Sequence, residues 1–197
     1  MKLRRTLKEE KQKKADSIVR SVLNQDYISL SLKNGLVIKE DVEASTTKVT
    51  YEVAMKTAAG VENLCIKGSG HGAVDAFFSS LKAALVGQYE SLKNIVFREF
   101  AISADIGSFS QKHSGSNSAV EAVLVVQNKR HEDLIFRKKS RSTNKAALST
   151  VLSAIEHFIN SEKAVIILEK CIKDAKKRNR GDLVNSFTMQ LAEIVKK

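Results

Sequence analysis

The chain has 197 residues, 43% of them hydrophobic and 28% charged, and its 33 basic against 22 acidic side chains leave a formal net charge of +11. This length and balance exclude a disordered chain and a large multidomain enzyme, and fit one well-buried domain with extensions or two small ones. No apolar run approaches the roughly 18–20 residues of a membrane span, and the start MKLRRTLKEEKQKK lacks an apolar secretion core, so a cytoplasmic protein with no membrane partner is expected.

Residues 8–23 place Ala15, Ile18, Val19, Val22 and Leu23 on one stripe beside charged neighbours, which predicts a surface helix docked along one side. In DYISLSLKNGLV, Ile28, Leu30 and Leu32 alternate with Tyr27, Ser29 and Ser31 before Asn34-Gly35, the pattern of a strand entering a tight turn. From there the chain resembles itself at an offset of 70 residues. Val53 falls on Val123, Leu64 on Leu134, Lys67 on Arg137, Ala76 on Ala146, Ser79 on Ser149 and Ala84 on Ala154. Apolar character also matches at Met55 and Val125, Ile66 and Phe136, Phe78 and Leu148, Leu81 and Val151, and Leu85 and Ile155.

Each copy reads as strand, turn, strand, helix: residues 49–57, 64–68 and 71–85, then 119–127, 134–138 and 143–158. Another strand, 95–104, lies between them, followed by a serine- and glycine-rich surface loop at 105–118. The expected class is α+β: a pseudo-two-fold repeat of β-strand pairs each followed by an α-helix, with helices on one face of antiparallel strands and extra terminal helices. Beyond Ser161 two more helices are expected, the first through Val165, Ile167, Leu168, Cys171, Ile172 and Ala175. The second carries Leu183, Val184, Phe187, Leu191, Ile194 and Val195 after an N-cap at Asp182. The organisation is then an N-terminal extension (1–46), a central α+β domain (47–161) and a C-terminal helical extension (162–197).

Reactive chemistry is sparse. Cys65 and Cys171 have no metal or redox spacing and read as free thiols. His71, His113, His131 and His157 are scattered without ligand spacing, so neither metal nor cofactor is expected. The most pointed stretch is GSGHGAVDAFFSSLKAAL, 68–85, where Gly68, Gly70 and Gly72 precede a helix. Such a turn either holds an anion at the helix N-terminus or packs strand closely against helix. It is not a dinucleotide loop, because Ala73 stands where a third glycine is needed and no βαβ unit with a ribose-binding acid follows.

The segment GHGAVDA, 70–76, resembles the G-x-G-P-V-D-A signature of the C-terminal regulatory domain of α-isopropylmalate synthase, a domain shared with citramalate synthase; the likeness extends over about residues 47–161. That resemblance implies a non-catalytic homodimer built of two related strand-and-helix units, with leucine or isoleucine as effector and a separate synthase as partner. It carries Gly70, His71, Gly72, Val74 and Asp75 onto the effector pocket, with Phe97 and Ala101 from the strand IVFREFAISA. Asp75 falls in the first helical turn, where its charge suits the helix dipole and either attracts an effector ammonium or only starts the helix. Departures are plain: Ala73 replaces the family's Pro, 105–118 is longer than the family's turn, and KKSRSTN at 138–144 replaces a glycine-rich segment. The family's catalytic barrel is missing. The alternative reading is a basic interaction protein that keeps the fold and binds an acidic protein or nucleic acid through the clusters at 1–14, 137–141 and 173–180. Few aromatics are present to stack on bases.

Overall fold

A computed structural model describes residues 2–33, 35–104 and 119–195; Asn34 and the serine-rich segment 105–118 lie outside the described residues. Helix α1 (Lys2–Leu23) leads into a first sheet of β1 (Ser29–Leu32), β2 (Val37–Asp41), β3 (Thr46–Thr57) and β4 (Gly60–Gly70). Helix α2 (Ala73–Leu85) and a short 3-10 helix (Glu90–Asn94) connect it to a second sheet of β5 (Val96–Ala104), β6 (Val120–Gln127) and β7 (Asp133–Ser140). Helices α3 (Thr143–Lys177) and α4 (Gly181–Val195) complete the described chain.

The tight turn expected at Asn34-Gly35 is not a reversal. β1 and β2 both run antiparallel to β3, with Leu32 opposite Val53 and Val37 opposite Thr50, so together they form one interrupted strand along its edge. Gly35, at φ 101°, sits in the interruption, and Lys33 N donates to Glu52 O at 2.9 Å, which holds the chain to β3 there. Leu30 before the break and Leu36 and Ile38 after it all pack on the core, and this shared apolar face keeps the strand on course. The reversal comes at 42–45, where Ala44 N donates to Asp41 Oδ1 and Ser45 takes φ 49°.

The α+β repeat is present, on two sheets rather than one. Its unit is three antiparallel strands and a helix: β2, β3, β4, α2, then β5, β6, β7, α3. β5 therefore belongs to the second unit. The 70-residue offset aligns the last strand and the helix, where Ile66, Ala76, Phe78, Leu81 and Leu85 and their counterparts Phe136, Ala146, Leu148, Val151 and Ile155 are all buried. It fails for β3 and β6. Gly70 pairs with Thr47 but Ser140 with Val120, so the offset between the middle strands is 73. Val49, Tyr51 and Val53 then correspond to the buried Ala122, Leu124 and Val126, and the matches of Val53 with Val123 and Met55 with Val125 join opposite faces. The cause is turn length, two residues (58–59) in the first hairpin and five (128–132) in the second.

One continuous core takes residues from both sheets and both helices. Phe77 of α2 stacks on Tyr51 of β3 with ring centroids 4.0 Å apart, while Phe78 meets Phe97 of β5 edge-on at 5.8 Å. The fully buried Tyr51 hydroxyl donates to Phe77 O at 3.1 Å and shares a 2.8 Å hydrogen bond with Ser80 Oγ.

Of the two helices expected beyond Ser161, the second is α4, whereas the first is no new element, because α3 runs unbroken for 35 residues. Nothing between 143 and 177 is Gly or Pro, so only tertiary demand could end it. Its polar middle is used instead. Asn160 Oδ1 accepts from Ile28 N and its Nδ2 donates to Ile28 O, each at 2.8 Å. Glu156 accepts from the Tyr27 hydroxyl and from Leu30 N, both at 2.9 Å. Glu162 accepts from Glu90 N and Ser91 N, at the start of the 3-10 helix. Past that point Ala164 and Leu168 form a second cluster with Val19 and Leu23 of α1 and Ile194 of α4. Asp182 is inside α4, not its N-cap, and its carboxylate is gripped by Arg180 at 2.8 and 3.0 Å.

Two stability predictions follow from the buried polar groups. Asn160→Leu keeps the branched shape but leaves both Ile28 backbone groups unanswered, and is expected to cost about 2–4 kcal/mol in urea unfolding at unchanged m-value. Burial raises the Tyr51 pKa from 10.0 to about 12. Its contribution is thus complete below the unfolded value and is lost as pH climbs through the folded one. Tyr51→Phe should flatten the fall of stability between those two pH values; an unchanged profile would contradict the assignment.

Candidate functional site

The turn from β4 into α2 brings Gly70, His71, Gly72, Val74 and Asp75 together. Glycine is needed at two positions here for close approach. A Cβ on Gly68 would overlap the Ser80 side chain, and one on Gly70 would lie 2.6 Å from Ala76 N, so the strand end rides directly on the first turns of its helix. Gly72 differs. Its φ of 176° is ordinary extended backbone and a Cβ there would meet open space, so of these glycines it is Gly68 and Gly70 that the protein's own helix approaches closely.

Asp75 works within the turn. Its Oδ2 accepts from His71 N at 3.1 Å and its Oδ1 from Ser79 Oγ at 3.4 Å, which answers a backbone donor ahead of the helix. The second unit starts its helix differently, with Ser142 Oγ at the N-cap accepting from Lys145 N. Val74 is half-buried against the core. His71 is exposed, and His157 is buried with its Nδ1 2.7 Å from Asp16 Oδ1. His131 lies in the β6–β7 turn at φ 62°, while His113 falls outside the described residues. Among the described residues no three His, Cys, Asp or Glu side chains are grouped to hold a metal ion.

Phe97 and Ala101 do not share a face. The pairing of β5 with β6 shifts between Phe97 and Glu99, a bulge at Arg98. Phe97, opposite the buried Val126, points into the core against Phe78. Ala101, opposite Val123, lies on the other side of the sheet beside a cavity of about 80 Å³ with Glu99, Val125, Ile135 and Arg137. A strand without a bulge would have kept two residues four apart together.

What the fold does assemble is a cleft of about 560 Å³ between α2 and β5, bounded by Phe78, Ser79, Lys82 and Ala83 on the helix, Val86 just past its end, and Val96 and Phe97 on the strand. Lys82 crosses it, donating from Nζ to Ile95 O at 2.9 Å, and burial holds its pKa below the usual lysine value. Lys82 was not among the residues expected at the site; its signal in the sequence is one cation inside the otherwise apolar and small-residue run AFFSSLKAAL. Asp75 is two helical turns away, about 10 Å along the axis, too far for both charged groups of one α-amino acid to span.

The basic clusters are partly neutralised within the fold. Arg137 contacts Glu9 at 3.0 Å and Glu121 at 3.5 Å, Lys8 faces Asp133 at 3.6 Å, and Lys14 faces Glu193 at 3.1 Å. Lys176 and Lys177 close the last turn of α3, where cations suit the helix dipole. Cys65 is an exposed free thiol and Cys171 a half-buried one. Among the described residues no helix is long and apolar enough to cross a membrane. No protein-family model matches the chain, and no curated protein matches it.

The glycine geometry yields a sharp contrast. Gly70→Ala should destabilise by about 1–3 kcal/mol, since strand and helix must part to admit a methyl group. Gly72→Ser should be neutral or stabilising, because it supplies the N-cap acceptor that Ser142 provides in the second unit. Equal thermal midpoints for the two variants would contradict the close-approach assignment.

Proposed function

We propose that this chain is a non-catalytic regulatory and dimerisation module of the type found at the C-terminal end of α-isopropylmalate synthase, acting on a separate synthase and sensing leucine or isoleucine. The observation that carries the reading is the tandem three-strand-and-helix unit with the GHGAVDA turn opening its first helix, over the segment to which the resemblance extends. The effector site is the cleft between α2 and β5. There Lys82 supplies a cation for the carboxylate, and Phe97, Val96 and Val86 supply an apolar wall for a branched side chain. Asp75 stays with the turn that it stabilises.

Sedimentation at micromolar concentration should give a homodimer. A thermal-shift series with leucine, isoleucine and valine, against lysine and glutamate as controls, should raise the midpoint only with branched ligands. At a hundredfold excess over Kd, binding to the folded state adds about 2.7 kcal/mol, a shift of several degrees. Lys82→Met should abolish that shift while leaving the ligand-free midpoint close to its original value. A monomer without any branched-ligand response overturns the proposal.

A further inference from the structure

The two units differ at one surface. In the second, α1 covers the groove between β7 and α3: Gln12 Oε1 accepts from Ile135 N at 3.1 Å, Arg137 Nε donates to Glu9 Oε1 at 3.0 Å, and Asp16 reaches His157. The walls of that groove include Ile135, Phe136, Arg137 and Lys138 on the strand and Ser153 on the helix. At the 70-residue offset, which holds for this strand and this helix, their counterparts are Cys65, Ile66, Lys67, Gly68 and Ala83. Those five residues line a matching groove of about 440 Å³ between β4 and α2. Its walls are bare. Cys65 and Ala84 are exposed, where their counterparts Ile135 and Ala154 are 8% and 0% exposed.

We infer that the β4–α2 groove docks an amphipathic helix of a partner protein, one that presents a carboxylate to Lys67 and a side-chain amide to the N–H of Cys65. The contact chemistry is that of α1 on the other unit. Cys65 stands opposite Glu52 as Ile135 stands opposite Val125, and these are equivalent pairs once the middle strands are aligned at 73. The N–H of Cys65 is therefore directed away from β3, as that of Ile135 is directed toward Gln12. Lys67 takes the position of Arg137, which is paired with Glu9. Glu9 and Gln12 are three apart, neighbours on one helix face, so a single helix meets both demands. Ala83 replaces Ser153 with a smaller side chain on the groove wall, while Gly68, whose Cβ would meet Ser80, holds α2 close to the strand. A carboxylate-bearing helix also suits a chain of net charge +11, which steers acidic partners toward it. The inference does not depend on effector binding or on the proposed homodimer.

The probe is a synthetic peptide of residues 8–23, the docked part of α1, with Gln12→Cys. The target is the full chain with Cys171→Ser, in which Cys65 is the remaining thiol. The chain's own α1 covers the β7–α3 groove, whose lining offers no cysteine, so disulfide trapping reports only on the β4–α2 groove. The Gln12→Cys peptide should trap Cys65 about tenfold or more faster than a Ser17→Cys peptide, whose thiol lies on the exposed face of the helix. Lys67→Glu, an exposed change on β4, should slow that trapping about threefold to fivefold. Equal rates for the two peptides, or rates indifferent to Lys67→Glu, overturn the inference. So does preferential Cys65–Cys65 crosslinking between two copies, which would make the groove a self-interface. Failure of the regulatory reading, a monomer without ligand response, would leave the trapping result standing.

Discussion

The backbone N–H and C=O of Ile28 are buried where the chain passes from α1 toward the first sheet, and one side-chain amide, that of Asn160, answers both. A buried peptide group without a partner costs as much as a lost hydrogen bond, so this pairing sets where β1 can lie relative to α3. Its neighbours act alike. Glu156 holds Leu30, His157 meets Asp16 of α1, and Glu162 caps the 3-10 helix that leads into β5. Two turns of α3 thereby bind the N-terminal helix, the first sheet and the inter-unit connection to one rod. Apolar burial supplies most of the stabilisation, but it is not directional, and these hydrogen bonds select one arrangement.

The glycine turn shows the same economy on a smaller scale. Gly68 and Gly70 let β4 ride against α2, and the position beside Gly68 is held by Ser80, whose hydroxyl also bonds Ala76 O and the Tyr51 hydroxyl. Strand, helix and central strand β3 meet at that one serine. Asp75 then answers His71 N and steadies the entry to the helix. Each glycine and acid of GHGAVDA that makes a contact makes it inside the fold, and the nearby cleft with Lys82 is where polar and apolar surfaces meet open space.

The two units are unequal in what covers them. The second has α1 along β7, a long α3 and α4 against it, so its strand edge and helix face are covered. The first retains an open edge beside small residues. An uncovered strand edge invites another polypeptide, and the charge of Lys67 favours an acidic one. The groove along β4 and the cleft toward β5, proposed for a partner helix and for an effector, adjoin at Ser79 and Ala83 of α2, which line both.

The sequence by itself determined the α+β class, the internal repeat and the N-terminal amphipathic helix. These rest on local periodicity: Val19 and Leu23 one helical turn apart, and Ile66, Phe78 and Leu81 matching Phe136, Leu148 and Val151. It also marked GSGHG as a place of close approach. It did not reveal the register of β6, because VEAVLVVQ is apolar on both faces and an offset of 70 or 73 reads equally well. The bulge at Arg98, which parts Phe97 from Ala101, has no signature in IVFREF, since bulges arise from strand pairing. The unbroken α3 was hidden for a related reason. Asn160 and Ser161 look like a helix end until Ile28, 132 residues away, is seen to need that amide. Local periodicity records which face of an element is apolar, and only the tertiary structure decides which distant backbone groups its polar residues must satisfy.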